Sequence, residues 1–271
     1  MALTLGSGPF SKQRSSAASN YEIEGPEHLL LFEDYPRRMR AVLGGETVAD
    51  SERGKLLYES NILPKLYLPE DDLLPGVAES TSQATHCPFK GDAAYWSLRV
   101  GDRVAENAVW GYPEPGERAR WLKGYVSIYW GAVDQWIQED EPVVGHLRDP
   151  YHRVDVLSSS RAVRVLAGGE VLAETTRPKL VFETSLPTRY YIPREDVRAE
   201  RLSPTEKVTH CPYKGEAAYW SVSTGDVVLD DVAWGYAEPL SEAAAVRDHL
   251  SFLGAGIEIE VEHPARVPAA A

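Results

Sequence analysis

The chain repeats itself, and the repeat constrains the fold more than any other feature. Shifting the sequence by 124 residues lays Arg40–Pro115 over Arg164–Pro239 without a gap. Inside that span Thr85-His86-Cys87-Pro88-Phe89-Lys90-Gly91-Asp92-Ala93-Ala94-Tyr95-Trp96 returns as residues Thr209 to Trp220. Only Phe89/Tyr213 and Asp92/Glu216 differ. A period this long describes two tandem domains rather than a solenoid of short units. The 271 residues are enough for two domains of ordinary size. The expected layout is a disordered tail over 1–24, a first repeat over 25–141, a linker over 142–149 carrying Pro142 and Gly145, a second repeat over 150–262, and a tail over 263–271.

Local signals within each copy are β. Met39-Arg40-Ala41-Val42-Leu43, a Gly44-Gly45 turn and Glu46-Thr47-Val48-Ala49 predict a hairpin, because paired glycines supply the positive φ values of a tight turn. Lys55–Glu59 and Lys65–Leu68 predict further short strands, and so do Tyr95–Val100 and Arg103–Tyr112 around Gly101-Asp102. Gly124–Trp130 predicts another strand, and Ala132–Glu139 a short helix with Val133, Trp136 and Ile137 on one face. The ends of the copies diverge: Tyr125 meets His249, Trp130 meets Gly254, Trp136 meets Glu260, and Trp121 has no aromatic counterpart. The unmatched tryptophans either line a pocket in the first copy alone or pack a domain interface or core edge.

A net charge of −13 disfavours nucleic acid, whose binders need a basic surface. It equally disfavours an anionic membrane. No stretch has the length of a membrane span, and the N-terminus lacks a signal-peptide core, so a cytoplasmic acidic protein is expected. Two cysteines at matched places do not form a disulfide framework. Paired Cys-x-x-Cys motifs for structural zinc are absent. A site shared by His86, Cys87, His210 and Cys211 would require the two copies to meet, and no metal is expected.

The repeated stretch gathers polar and aromatic groups in the proportions of a small-molecule pocket. The candidate binding residues are His86, Lys90, Trp96, Trp110 and Tyr112, with His210, Lys214, Trp220, Trp234 and Tyr236 as counterparts. On a strand Tyr95 and Trp96 face opposite sides, so at least one of them packs rather than binds. Four matched charge pairs, Arg40/Arg164, Glu46/Glu170, Lys55/Lys179 and Glu59/Glu183, read as solvated strand faces. Arg40 is the exception, an Arg placed to reach a partner. Glu70-Asp71-Asp72, matched by Arg194-Glu195-Asp196, reads as a solvated turn.

The Thr-His-Cys-Pro-Phe/Tyr-Lys-Gly stretch, the Ala-Tyr-Trp after it and the Trp-Gly-Tyr-x-Glu-Pro ending resemble the domain of unknown function 427 family, over both repeats. The resemblance implies a small β domain of the β-tent type, here in tandem. Related β-tents include methionine sulfoxide reductases and the drug-binding domain of cereblon. Those often hold zinc on Cys-x-x-Cys pairs that this chain lacks. The family sometimes carries a nucleotidyltransferase-like label, which no paired-carboxylate metal motif in this sequence supports. It has no settled activity and implies no cofactor.

The leading expectation is a mainly β, tandem β-tent-like protein, with intramolecular contact between the repeats and a small organic ligand beside each Thr-His-Cys-Pro loop. The alternatives are an enzyme of transferase or acid–base type using His86/His210 or Cys87/Cys211, and a structural or protein-interaction module.

Overall fold

A computed structural model describes Asn20, Pro26 and residues 28–262 except Asp226. Apart from Asn20, the expected tails over 1–24 and 263–271 lie outside the described residues. The chain divides into two compact units, one ending at Tyr151 and the other beginning at His152.

The first unit is built from β1 (Leu30–Asp34), β2 (Met39–Leu43), β3 (Glu46–Ser51), β4 (Lys55–Glu59), β5 (Ile62–Pro69), β6 (Ala78–Cys87), β7 (Gly91–Val100), β8 (Arg103–Gly111), β9 (Tyr125–Ile128), β10 (Gln135–Gln138) and β11 (Glu141–Pro142). Seven of these form an antiparallel sheet in the order β1-β4-β5-β9-β8-β7-β6, and the others form a second sheet, β11-β10-β2-β3. The predicted hairpin turns at Gly44 and Gly45, whose φ values of +60° and +83° are the left-handed geometry the turn demands.

The second unit repeats the plan with β12 (Val154–Ser158), β13 (Ala162–Ala167), β14 (Glu170–Thr175), β15 (Lys179–Glu183), β16 (Arg189–Pro193), β17 (Leu202–Cys211), β18 (Gly215–Thr224), β19 (Val227–Gly235), β20 (His249–Phe252) and β21 (Ile257–Glu262). Its large sheet runs β12-β15-β16-β20-β19-β18-β17 and its small sheet β14-β13-β21. The protein is therefore mainly β, in two antiparallel units, and among the described residues the helical segments are short 3₁₀ turns.

Strand alternation gives each large sheet two buried faces. In the first unit Leu56, Tyr58, Leu66, Leu68, Leu98 and Val109 join the small sheet's Met39, Ala41 and Leu43 in the main core. Their strand neighbours Leu57, Tyr67, Tyr95 and Trp110 point the other way. They pack with Phe32 of β1 and with Ala119 and Leu122 of the 3₁₀ segment Glu117–Leu122. The second unit divides in the same way, between a core around Val165, Ile192 and Phe252 and a smaller cluster around Val181, Tyr191 and Tyr236. The stretch 142–149, expected as a linker, contributes Leu147 to the first core and Asp149, whose carboxylate accepts a hydrogen bond from the Tyr58 hydroxyl at 3.1 Å.

Two expectations need correction. Short helical turns do stand near the end of the first repeat, at Glu117–Leu122 and Trp130–Ala132, but Ala132–Glu139 is not helical. Gln135–Gln138 is the strand β10, paired with β2. Pairing gives its backbone polar groups partners that so short a helix could not provide, and it turns Trp136 into the core. There Trp136 stacks on Trp130 at 4.6 Å and donates its indole N–H to the Trp130 carbonyl.

The second correction concerns Glu260, which is not the structural counterpart of Trp136. Trp136 lies opposite Ala41, and the residue opposite the matching Val165 is Ile259. The second copy is one residue shorter between β20 and β21. A one-residue slip exchanges the faces of a strand, so Ile259 turns inward while Glu260 pairs with Arg164 at 2.8 Å. Trp121 also belongs to its own unit, stacked on Phe32 at 4.9 Å. No helix among the described residues is long and apolar enough to cross a membrane.

Candidate functional site

The Cys-Pro-Phe-Lys-Gly loop is a tight turn between β6 and β7, closed by Lys90 N–H donating to the Cys87 carbonyl. Gly91 has φ +104°, and a Cβ on it would stand 3.1 Å from the Gly116 nitrogen. Gly215 repeats this with φ +100° and 3.1 Å to the Glu238 carbonyl. Close approach and a left-handed backbone both demand glycine at this point. They also explain why the Trp-Gly-Tyr-x-Glu-Pro motif accompanies the loop, since its Glu-Pro end is the chain packed against that glycine.

The turn carries Lys90 inward. Its ammonium pairs with Glu59 at the end of β4, and Glu59 also accepts a hydrogen bond from His28 Nε2 at 2.9 Å. Phe89 stacks on the His28 ring at 4.0 Å, and Lys90 Nζ lies 5.7 Å from the Tyr112 ring centre. In the second unit Glu183 takes His152 at 2.9 Å and Lys214 at 2.6 Å, and Tyr213 covers His152 at 4.2 Å. Glu59 and Glu183 are thus not solvated faces, a further correction: their side chains are 6% and 9% exposed, under the loop. Arg40 does reach a partner, at Glu139 and Asp140.

Burial alone would raise the Glu183 carboxyl. The hydrogen bonds and charges of His152 and Lys214 outweigh it and bring the pKa from 4.5 down to about 2. A depressed carboxyl contributes stability above its unfolded pKa and loses it as pH falls through the folded one. The second unit should therefore lose stability between pH 4.5 and about pH 2. Acid titration of the Glu183→Gln chain followed by circular dichroism should give a flatter profile over that window. Parallel profiles would show that Glu183 titrates normally. Burial also pushes the phenols of Tyr67, Tyr112, Tyr191 and Tyr236 upward, so these hydroxyls stay protonated beside the ion pairs.

The structure brings together only some of the residues singled out in the sequence. Lys90 and Tyr112 are in contact, with Trp110 in the same cluster, and Lys214, Trp234 and Tyr236 share the equivalent face. His86 and His210 stand on the exposed side of their strands, bonded to Asp92 at 2.6 Å and Glu216 at 3.1 Å. Cys87 and Cys211 turn inward from the next position, both as free thiols, so neither shares a face with the adjacent imidazole. Trp96 and Trp220 lie on the opposite face of the sheet, against the main cores. His28, Glu59 and their counterparts were missed as site residues. The signal available was an equal spacing, His28–Glu59–Lys90 and His152–Glu183–Lys214 each advancing by 31.

Open space lies elsewhere. In the first unit a groove of about 370 Å³ is lined by Trp96, Leu73, Pro75, Val126, Glu70 and Asp71 among others. In the second unit a groove of about 750 Å³ is lined by Ser158, Lys179, Arg194 and His249 among others. Among the described residues no three His, Cys, Asp or Glu side chains converge as a metal site would require.

A family model likewise finds two copies in the chain. The model described as "Domain of unknown function (DUF427)" matches residues 31–139 and again 155–263. The chain belongs to this family. Each DUF427 copy takes in most of one unit's strands, from β1 to β10 and from β12 to β21. Both matches begin after His28 and His152, so the first member of each trio stands just outside its DUF427 segment. A search among curated proteins returned no match to this DUF427 chain.

Proposed function

We propose that the protein binds a small organic molecule, and that the first unit does so in the groove along Trp96. The buried His–Glu–Lys trios are then the anchors that hold the Cys-Pro-x-Lys-Gly turns in place. Lys90 and Lys214 spend their charge on a carboxylate inside the protein.

One observation carries the reading. Position 70 of the first unit is matched by Arg194 in the second, and the Arg194 guanidinium lies 4.9 Å over the ring of Trp220, the match of Trp96. In the first unit Trp96 lines an open groove together with Glu70. The second unit thus carries its own cation on the tryptophan that lines a groove in the first. The volume falls within the range of ligand pockets, and the lining mixes the apolar Leu73, Val126 and Trp96 with the carboxylates of Glu70 and Asp71. An indole face next to carboxylates favours a guanidinium or alkylammonium group. A thiol nucleophile activated by its neighbouring imidazole draws less support, because His86 and Cys87 face apart.

The test is a titration of the full chain with butylguanidinium, following the tryptophan indole N–H signals by NMR. The Trp96 signal, assigned from Trp96→Phe, should move most, and Glu70→Gln should weaken binding by about tenfold. Movement at every indole except Trp96, or an affinity indifferent to Glu70, overturns the reading.

A further inference from the structure

We infer that the second unit holds a separate binding site for a small phosphate-bearing molecule, in the groove between β15, β16 and β20. The site does not depend on the ligand proposed for the first unit.

The argument begins with how the two copies differ at matched positions. In the first unit Lys55 pairs with Asp34. In the second the matched Lys179 meets Ser158, and its ammonium donates to that hydroxyl at 2.8 Å. Glu70 becomes Arg194, which stacks on Trp220 and, among the described residues, has no carboxylate within ion-pair distance. Tyr125 becomes His249. Its Nδ1 donates to the Arg247 carbonyl at 2.7 Å, which leaves Nε2 as the unengaged ring nitrogen. Phe32, which in the first unit stacks on Trp121 and meets both Lys55 and Tyr125, is matched by Val156.

The net result is a change of sign. The groove carries three cations, Arg177, Lys179 and Arg194, against two carboxylates, Glu195 and Asp248. The matched positions of the first unit hold two cations against three carboxylates. Of the groove's charges, Arg177 and Glu195 are already paired at 2.5 Å. Lys179 and Arg194 are not, in a protein whose net charge is −13. A fixed guanidinium offers parallel N–H donors and a lysine a compact charge, the combination that suits a tetrahedral phosphate. The Ser158 hydroxyl, accepting from Lys179, keeps its own proton to donate. At about 750 Å³ the groove exceeds what inorganic phosphate fills, so the ligand is a phosphomonoester of a small organic alcohol or phenol.

The test is calorimetric titration of the full chain with phenyl phosphate, inorganic phosphate and benzoate at low ionic strength. Phenyl phosphate should bind more tightly than the other two. Lys179→Met and Arg194→Gln should each weaken it by about tenfold, the weight of one charge-assisted hydrogen bond. Ser158→Asp, which restores the pair of the first unit without removing a cation, should do the same on a surface strand that tolerates it. Arg53→Gln, at the matched place in the first unit, should leave the affinity unchanged. Absence of phenyl phosphate binding by the folded wild type overturns the inference. So does an affinity that survives Ser158→Asp, or one that falls equally with Arg53→Gln.

Discussion

Glu59→Ala should cost the first unit about 3–5 kcal/mol, read as a shift of its urea unfolding midpoint at unchanged slope. The loss follows from what is left behind. Lys90 and His28 both converge on Glu59 in a region walled by Leu57, Tyr67 and Tyr112, and without the carboxylate an ammonium stays buried with no counter-charge. Keeping that charge out of water costs more than the lost hydrogen bonds. The paired replacement Glu59→Leu with Lys90→Met should recover most of the loss, since a buried ion pair exchanged for apolar side chains of similar volume is often close to neutral. A loss below about 1 kcal/mol for Glu59→Ala would place the pair in the class of solvated surface bridges. A double variant no better than the single would mean that the trio does more than anchor the turn.

Trp136→Ala should be comparably damaging, at about 3–5 kcal/mol for removal of a buried aromatic. Trp136 closes the small sheet of the first unit, stacks on Trp130 and contributes to the main core. Its counterpart by register is Ile259, so Ile259→Ala should cost the second unit about 2–4 kcal/mol. Glu260→Ala, the counterpart by sequence offset, should cost under about 1 kcal/mol, because its bridge to Arg164 is half exposed. Denaturant unfolding of the three variants decides between the alignments. A large effect at Glu260 with a small one at Ile259 would refute the shifted register.

The hairpins were legible because their punctuation is physical. Gly44, Gly45 and Gly101 sit where the turn needs positive φ, and alternation does the rest. The opposed directions of Tyr95 and Trp96 were equally readable from strand geometry, and they separate residues that sequence proximity had grouped. β10 was not legible. Four residues, two of them apolar and adjacent, fit a helical stripe as well as a strand edge, and only pairing with β2, far away in sequence, decides the matter. The trio was hidden for the same reason. Glu59 ends β4 after Leu56, Leu57 and Tyr58 and looks solvated until the sheet brings the β6–β7 turn over it. The grooves were beyond reach because they depend on what is missing at a position. Lys179 lacks the carboxylate partner that Lys55 has, because Ser158 stands where the first copy carries Asp34.

The closing strands also bear on how such a chain avoids entangling with itself. Tandem copies this alike can exchange segments while folding, a recurrent failure of repeat proteins. In the native pairings Ala41 faces Trp136 and Val165 faces Ile259, a small residue against a large one and two of middle size. An exchanged strand would set Ala41 against Ile259 and leave a hole, or Val165 against Trp136 and overfill the layer. Overfilling alone costs about 1–3 kcal/mol. Each small sheet therefore identifies the strand that pairs with β2 or β13 by volume, which gives two copies of one fold a means of sorting self from neighbour as the chain emerges.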